Sequence, residues 1–236
     1  MNLKTMNLKN IIKDQQTRLP EDANFNMIVA GTSGSGKSYV IRKMIERLVN
    51  IPNVRLVLID PKTVELEQFR NHLRTKWYAD SDEDILNTLN KVYSLMWDRY
   101  RDMKADGLTV TKEDHVVVFV DEMYFLMESD YKKMYIKMFT RLMVMGRAAH
   151  IHLVLCTQTA NRNVIPAGIR DNAPTIICLN QQDETRYRYL LGKTYPELPV
   201  RGYAYVRTPA IRTPRKVRSD EVWDEIIDRP DAVTGA

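Results

Sequence analysis

A glycine-rich stretch between residues 31 and 38 could do phosphate chemistry. In order, its residues are Gly31, Thr32, Ser33, Gly34, Ser35, Gly36, Lys37 and Ser38. Glycines let backbone N–H groups turn inward around phosphate oxygens, at the positive end of a following helix. Lys37 can then reach the β- and γ-phosphates, and the Ser38 hydroxyl can bind Mg²⁺. The stretch predicts a site for a nucleoside triphosphate, with ATP and Mg²⁺ as its ligands.

Two adjacent carboxylates form the second group of candidate residues. Asp121 and Glu122 come directly after the apolar run Val116–Val120. An acid at the end of a buried strand beside a phosphate loop can hold Mg²⁺, which assigns Asp121 to the metal together with Ser38. The next carboxylate, Glu122, is placed to act as general base toward the attacking water. An acid pair also ends ordinary strands, but the phosphate loop upstream favours the catalytic interpretation.

A polar residue after another apolar run completes the predicted site. The run Ile151–Cys156 leads into Thr157 and Gln158. The Gln158 amide could contact the γ-phosphate and the attacking water, although a plain strand-end turn is the alternative. A glutamate directly after the metal-binding aspartate indicates an ATPase with an additional strand, inserted between the first strand and the strand before Asp121. These segments together predict a hydrolase that performs work, rather than a phosphotransferase.

The candidate residues need a sheet whose strands end at a common edge. Apolar, β-branched runs lie at 26–30, 54–59, 115–120, 151–156 and 174–179. Helical patterns lie at 37–49, 83–103, 131–149 and 183–191. Because the strand runs show little polar alternation, we expect strands covered on both faces. The predicted fold class is therefore α/β, with a mainly parallel central sheet and helices on both faces.

Composition and charge fit one large α/β domain with tails. The 236 residues are 44% hydrophobic and 28% charged, and 35 basic against 30 acidic residues give a net charge of +5. No apolar run approaches the ~20 residues of a membrane span, so we expect a cytoplasmic protein without a membrane segment. Cys156 and Cys178 lie in predicted strands without a CxxC pair, which indicates buried, reduced thiols.

The predicted organisation has three parts. Residues 1–20 form a flexible lead-in, residues 21–207 the folded domain, and residues 208–236 a basic segment with a short C-terminal helix at 219–229. The basic segment could contact phosphates, form a subunit contact or remain a solvated arm.

Four further segments resemble the motor domain of the FtsK/SpoIIIE DNA translocases, in the FtsK–HerA group of P-loop ATPases. They are Leu-Ile-Asp-Pro-Lys-Thr-Val-Glu-Leu at 58–66, the stretch at 78–100 ending in Met-Trp-Asp-Arg-Tyr, Gly-Arg-Ala-Ala-His-Ile-His-Leu-Val-Leu-Cys-Thr-Gln at 146–158, and 164–175. The resemblance covers roughly residues 22 to 207. It implies a RecA-like fold assembled into a ring, commonly a hexamer, with double-stranded DNA in the central channel.

The resemblance also implies ATP sites at subunit interfaces, each completed by an arginine of the neighbouring subunit. Such a guanidinium neutralises charge that develops on the γ-phosphate. Arg147 and Arg188 are the candidates, and Arg188 falls on the arginine of the family's SRTIL segment by ungapped counting. Each could instead be a surface charge. Arg170 is a weaker third candidate.

The DNA channel of this family is lined by loops after the Asp121 strand and near the Gln158 strand. Candidates for DNA contact by position are Arg141, Arg147, Asn161, Arg162 and Asn163, with Arg170 near DNA or an interface. Contacts to phosphates would make binding independent of sequence and strongly dependent on salt.

Departures from the family pattern suggest a free-standing motor. The resemblance implies membrane helices before the motor and a winged helix after it in segregation pumps, and we expect neither for this protein. Ile176 replaces an arginine, and His150 replaces a glycine. We therefore expect a motor of a mobile element or virus, acting in conjugation or genome packaging with a relaxase, membrane channel or capsid as partner. The alternatives are a protein-export ATPase, a nucleotide-gated scaffold and a single-strand helicase.

Overall fold

The apolar runs of the sequence form an eight-stranded sheet in the computed structural model, which describes residues 18–227. The strands are β1 (Met27–Ala30), β2 (Val54–Ile59), β3 (Thr75–Ala79), β4 (His115–Val120), β5 (Ile151–Thr157), β6 (Thr175–Cys178), β7 (Tyr203–Arg207) and β8 (Arg215–Arg218). Residues 1–17 of the predicted lead-in and residues 228–236 of the predicted tail lie outside the described residues.

Helices cover both faces of this sheet. They are α1 (Lys37–Leu48), α2 (Asp82–Asp106), α3 (Met123–Glu128), α4 (Lys132–Met145), α5 (Ala167–Arg170), α6 (Glu184–Leu191) and α7 (Val222–Ile227), with 3-10 turns at Glu67–Phe69 and Gly146–Ala149. The long helix α2 begins where the Ser81 hydroxyl accepts a hydrogen bond from the Asp84 N–H at 3.2 Å, as N-cap serines do. Across residues 18–227, every helix is too short or too polar to cross a bilayer.

The strand order confirms the predicted fold class and the additional strand. The sheet runs β3-β2-β4-β5-β1-β6-β7-β8. The first six strands are parallel, and β7 and β8 add an antiparallel extension. β5 lies between β1 and β4, pairing Thr157 with Ala30 and Leu155 with Val120. The residues that follow β1, β4 and β5 therefore meet at one edge, here called the carboxyl edge.

Apolar side chains alternate between two cores, one on each face of the sheet. In β4, Val116, Val118 and Val120 point into one core, and Val117 and Phe119 into the other. Helices α2, α3 and α4 cover the first core, and α1 covers the second. Burial on both faces explains why the strands appear in the sequence as mainly apolar runs with little polar alternation. Cys156 and Cys178 are buried free thiols, as predicted.

Three strands lie outside the predicted set. β3 is an edge strand whose side chains are mostly half-buried, and β7 and β8 form the antiparallel extension. β8 and α7 belong to the segment that we described as basic. Val217 and Trp223 bury their side chains in the second core, and Trp223 packs against Phe25 with ring centroids 5.9 Å apart. The basic segment therefore carries part of the sheet.

Buried histidines lie at the opposite edge of the sheet, here called the amino edge. His152 Nδ1 accepts a hydrogen bond from the Phe25 backbone N–H at 3.2 Å, and His152 Nε2 lies 2.9 Å from His115 Nδ1. A neutral His152 therefore carries its proton on Nε2 and donates it to His115. Burial lowers the pKa of His115 to about 3. Burial also lowers the pKa of His152 well below its usual value.

Arg99 and His150 join three segments at the amino edge. Arg99 is 6% exposed, and its guanidinium donates to the carbonyls of Ala149 at 2.6 Å and Asp114 at 2.9 Å. The ring nitrogens of His150 each lie 2.8 Å from a carbonyl oxygen, those of Glu113 and Glu21. His150 has a φ of 50°. This left-handed conformation accounts for the glycine that the family resemblance expects at this position.

Candidate nucleotide-binding site

The phosphate loop is anchored to the ends of two strands. The Gly31 N–H donates to the Thr157 carbonyl at 3.1 Å, and the Thr32 N–H donates to the Asn180 carbonyl at 3.0 Å. Gly34 and Gly36 have φ values of 77° and 95°, which side chains with a Cβ rarely adopt. A Cβ on Gly31 would collide with the Ser35 hydroxyl and lie 2.9 Å from Leu179 Cβ. The loop conformation therefore requires the glycines that the sequence places there.

Lys37 forms a buried ion pair with Asp121. Its Nζ donates to Asp121 Oδ1 at 3.1 Å and to the Asp121 carbonyl at 3.2 Å, and the two side chains are 6% and 1% exposed. Burial lowers the pKa of Lys37, but Cys156, Asp121 and Glu122 raise it by more in total. Burial itself raises the pKa of the Cys156 thiol. We therefore attribute the charge on Lys37 to the two carboxylates.

Asp121 keeps one oxygen without a hydrogen-bond partner among the described residues. This oxygen, Oδ2, is buried. Burial raises the pKa of the Asp121 carboxyl, Lys37 opposes that shift, and Asp60 and Glu65 add to it. A buried polar atom without a partner is costly, and a cation would satisfy this one.

The donors around Asp121 suit Mg²⁺, which prefers oxygen ligands. The Ser38 hydroxyl donates to Glu65 Oε1 at 2.5 Å, so hydroxyl and carboxylate oxygens occur side by side. Residues 18–227 contain no group of three or more His, Cys, Asp or Glu side chains that could hold a metal ion. Nucleotide phosphates would therefore have to supply further ligands, as they commonly do for Mg²⁺.

Glu122 is held by hydrogen bonds from several directions. It is 2% exposed. Its Oε1 accepts from the Thr157 hydroxyl at 2.9 Å, the Gln158 N–H at 3.1 Å and the Tyr124 N–H at 3.4 Å. Its Oε2 pairs with Lys62 Nζ at 3.4 Å. These contacts fix the orientation of a carboxylate that could accept a proton from water.

The predicted phosphate-loop residues, Asp121, Glu122 and Gln158 thus meet at the carboxyl edge. Gln158 and most residues of the phosphate loop border a cavity of about 770 Å³, here called the phosphate-loop cavity, whereas Asp121 and Glu122 lie buried outside its lining. Its lining residues are Thr32, Ser33, Gly34, Gly36, Lys37, Ser38, Tyr39, Glu65, Gln158, Arg201, Gly202, Tyr203, Arg218, Ser219 and Asp220. A cavity of this size is typical of small-molecule sites.

Sequence reasoning missed several residues of this site, among them Lys62, Glu65, Thr157 and Arg201. Lys62 and Glu65 lie in the family-like segment at 58–66, and Thr157 directly precedes Gln158, so their positions carried a signal. Arg201 carried none. Its Nε donates to the Gly34 carbonyl at 2.9 Å across a separation of 167 residues, a contact that depends entirely on the fold.

Most of the other candidate arginines border a second cavity. This cavity, also about 770 Å³ and here called the basic cavity, is lined by Ala160, Asn161, Arg162, Asn163, Arg170, Asp183, Thr185, Arg186, Arg188 and Tyr189. Arg170 pairs with Asp171 at 2.7 Å, and its guanidinium lies 4.6 Å from the Tyr189 ring centroid. Arg188 donates to the Thr194 hydroxyl at 3.1 Å. The arginine-finger candidate Arg188 and the DNA candidates Arg162, Asn163 and Arg170 therefore share one site.

Arg147 and Arg141 lie elsewhere. Arg147 belongs to the 3-10 turn before β5, at the amino edge, and its Nε donates to the Asp22 carbonyl at 3.1 Å. Arg141 lies on α4 and donates to the Tyr93 hydroxyl. Within one chain, Arg147 is thus at the opposite edge of the sheet from the phosphate loop.

Comparison with known proteins identifies relatives that are named DNA translocase FtsK. Residues 3–115 match the FtsK/SpoIIIE family. A protein of Leptospira interrogans named DNA translocase FtsK is 27% identical over 226 residues, which cover 86% of this chain and 24% of that protein. A protein of Campylobacter jejuni with the same name is 34% identical over 173 residues, 64% of this chain and 18% of that protein. The chain thus spans about a fifth to a quarter of the length of these relatives.

Solved structures share the fold. The pCW3 conjugation coupling protein TcpA, solved with ATPγS, is 20% identical with a TM-score of 0.72, and the alignment covers 88% of this chain and 64% of the TcpA chain. The Type VII secretion ATPase EccC of Thermomonospora curvata is 20% identical with a TM-score of 0.63, over 82% and 25% of the chains. The genome packaging NTPase B204 of Sulfolobus turreted icosahedral virus 2, solved with AMPPCP, is 14% identical with a TM-score of 0.55, over 84% and 98%. These likenesses show the fold of a P-loop ATPase.

Proposed function

We propose, on the premise that this chain carries an FtsK-type motor domain, that it hydrolyses ATP and uses the energy to move double-stranded DNA. One observation supports this proposal most strongly. The phosphate loop, the Lys37–Asp121 ion pair and the buried carboxylate of Glu122 all lie at the carboxyl edge of the sheet. Binding of phosphates and activation of water are then possible at one place.

The loop amides and Lys37 would bind the phosphates. Because Lys37 is already fixed by Asp121, little side-chain entropy is lost when the nucleotide arrives. Ser38 and Asp121 are the residues that would hold Mg²⁺, which neutralises charge on the β- and γ-phosphate oxygens when bound.

Glu122 would take the proton of the attacking water. The water oxygen forms a bond to the γ-phosphorus, the bond to the β–γ bridging oxygen breaks, and ADP leaves with that oxygen. The hydrogen bonds from Thr157 and the Gln158 N–H hold Glu122 in place for this transfer. The Gln158 side chain borders the same cavity, where it could report the presence of the γ-phosphate.

The proposed working form is a ring, with six subunits as the expected number and the ATP sites at subunit interfaces. Arg188 or Arg147 of a neighbouring subunit would complete each site. The basic cavity is the proposed region for contact with a polyanion, because Arg162, Arg170, Arg186 and Arg188 border it together. Guanidinium groups suit phosphate oxygens well.

The names of the structural relatives support two biological roles. TcpA is a conjugation coupling protein and B204 a genome packaging NTPase, so we propose DNA transfer of a mobile element or packaging of a viral genome. A relaxase, membrane channel or capsid would be the partner. EccC, a Type VII secretion ATPase, keeps protein export as the alternative function.

ATP hydrolysis measured with and without DNA tests this proposal. We expect Mg²⁺-dependent turnover that duplex DNA stimulates more than single-stranded DNA, with less stimulation as salt rises. Turnover indifferent to DNA would favour protein export, and a preference for single strands would favour a helicase. A protein that binds ATP without turnover would favour the scaffold alternative.

A further inference from the structure

We propose that the open end of the β7–β8 hairpin binds the nucleoside part of the nucleotide, its base and ribose. The residues are Arg201, Gly202 and Tyr203 at the start of β7, and Arg218, Ser219 and Asp220 at the end of β8. This inference rests on the proposed function, in which the phosphate loop binds the triphosphate.

The hairpin holds these two segments side by side. Tyr203 and Arg218 are register partners in the antiparallel pair. The Ser219 N–H donates to the Gly202 carbonyl at 3.0 Å, just beyond the last paired residues. Gly202 has a φ of 93°, a left-handed conformation that allows the chain to turn into β7. The six residues therefore form one continuous surface.

This surface is joined to the phosphate loop. All six residues border the phosphate-loop cavity. Arg201 connects the two parts directly, because its Nε donates to the Gly34 carbonyl at 2.9 Å. If the triphosphate occupies the loop end of this cavity, the remainder leads to the hairpin. The nucleoside, which is covalently attached to the α-phosphate, would have to lie there.

The side chains on this surface suit stacking with a nucleobase. Tyr203 is 38% exposed and offers an aromatic ring. The Arg218 guanidinium donates two hydrogen bonds to the Asp220 carboxylate, at 3.0 and 2.9 Å, which restrict its orientation. Bases stack on aromatic rings and on guanidinium planes. Tyr39, at the start of α1, borders the same cavity and is 37% exposed, so it offers a second ring.

The test compares affinity for ATP with affinity for inorganic tripolyphosphate, which lacks a nucleoside. Isothermal titration calorimetry on the full chain gives both dissociation constants. We expect Tyr203→Ala and Arg218→Ala each to weaken ATP binding about tenfold and to leave tripolyphosphate binding unchanged. Tyr203→Phe keeps the ring and should bind ATP like the parent protein.

Arg215→Ala is the matched control. Arg215 is exposed at the far end of β8 and does not border the cavity, so its replacement should change neither dissociation constant. Equal losses of ATP and tripolyphosphate affinity in the variants would mean damage to the loop and would overturn the inference. Unchanged ATP affinity in Tyr203→Ala and Arg218→Ala would overturn it while leaving the proposed function intact. A parent protein that binds neither ligand would overturn both.

Discussion

Polar side chains are buried at both edges of the sheet, but they find their partners differently. At the amino edge, His115, His152 and Arg99 are bonded to each other or to backbone groups of the same chain. At the carboxyl edge, Ser35 Oγ, Asp60 Oδ1 and Asp121 Oδ2 are buried without a hydrogen-bond partner among the described residues. Arg99 Nε is an exception at the amino edge.

This difference in hydrogen bonding distinguishes polar groups that stabilise the fold from polar groups that could bind a ligand. Buried polar atoms in native proteins are nearly always satisfied, so an exception calls for an explanation such as a bound ion, a water or a catalytic role. We therefore propose that the amino edge stabilises the fold and that the carboxyl edge binds the ligand and carries the chemistry. Substitutions at the two edges should change different quantities.

The largest expected effect is on turnover and comes from the carboxyl edge. Glu122→Gln removes the base but keeps an oxygen that can accept the Gln158 N–H. We expect ATP turnover to fall about 10³-fold while ATP affinity stays near that of the parent. Steady-state hydrolysis and equilibrium nucleotide binding measure the two quantities. Glu128→Gln, an exposed carboxylate at the end of α3, is the control, and parent-like turnover in Glu122→Gln would exclude the base role.

The next effect is on stability and comes from the amino edge. Arg99→Ala leaves the carbonyls of Ala149 and Asp114 without their donor. We expect the free energy of unfolding to fall by about 2–3 kcal/mol, with ATP turnover per folded molecule retained. Urea denaturation measures the change. Arg101→Ala, on the same helix with a side chain 73% exposed, should have little effect. A loss of turnover without a loss of stability would contradict the stabilising role proposed for the amino edge.

An effect of similar size concerns nucleotide binding at the carboxyl edge. ATP with Mg²⁺ at 100 times its dissociation constant should stabilise the fold by about 2.7 kcal/mol, a rise in Tm of about 5–11 °C. Lys37→Ala should abolish this rise, because the phosphates lose their buried cation. Lys43→Ala changes an exposed residue of the same helix and should keep it. Thermal melts with and without nucleotide measure the shift, and an equal rise in both variants would contradict the assignment of Lys37.

The last expected effect is a dependence of stability on pH. His115 and His152 have lowered pKa values in the folded state, whereas an unfolded histidine titrates near ~6.5. Below that pH the two histidines bind protons in the unfolded chain but remain neutral in the native state. Stability is therefore complete above about pH 6.5 and falls toward pH 3, by about 1.4 kcal/mol per pH unit for each histidine.

Urea midpoints at pH 7 and pH 5 measure this slope. His115→Gln should flatten it, and His72→Gln, at an exposed position, should not. If His115→Gln loses stability with falling pH as steeply as the parent protein, other groups cause the acid sensitivity.

The sequence predicted the central strands and the phosphate loop because their signals are local. β1, β2, β4, β5 and β6 are buried almost throughout, so each appears as a mainly apolar run. The resemblance to an FtsK-type motor domain is likewise confirmed. The roles assigned to Glu122, Gln158 and the arginines remain predictions.

The missed parts of the molecule depend on distant contacts. β8 reads Arg-Lys-Val-Arg, with one buried residue, Val217, so its composition indicates a basic loop. Its place in the sheet comes from pairing with β7. Arg201 belongs to the site only because the fold returns it to Gly34. Local propensity and periodicity carry no information about such contacts.

β5 runs as a rigid strand from the amino edge to the carboxyl edge of the sheet. All seven of its residues are buried, and it is hydrogen-bonded to β1 on one side and β4 on the other. It extends for roughly 20 Å, from Thr157 near Glu122 to the turn that holds Arg147. Because β5 is hydrogen-bonded on both sides, it cannot bend independently of its neighbours. A shift of Thr157 on release of the γ-phosphate would therefore also displace the turn that holds Arg147.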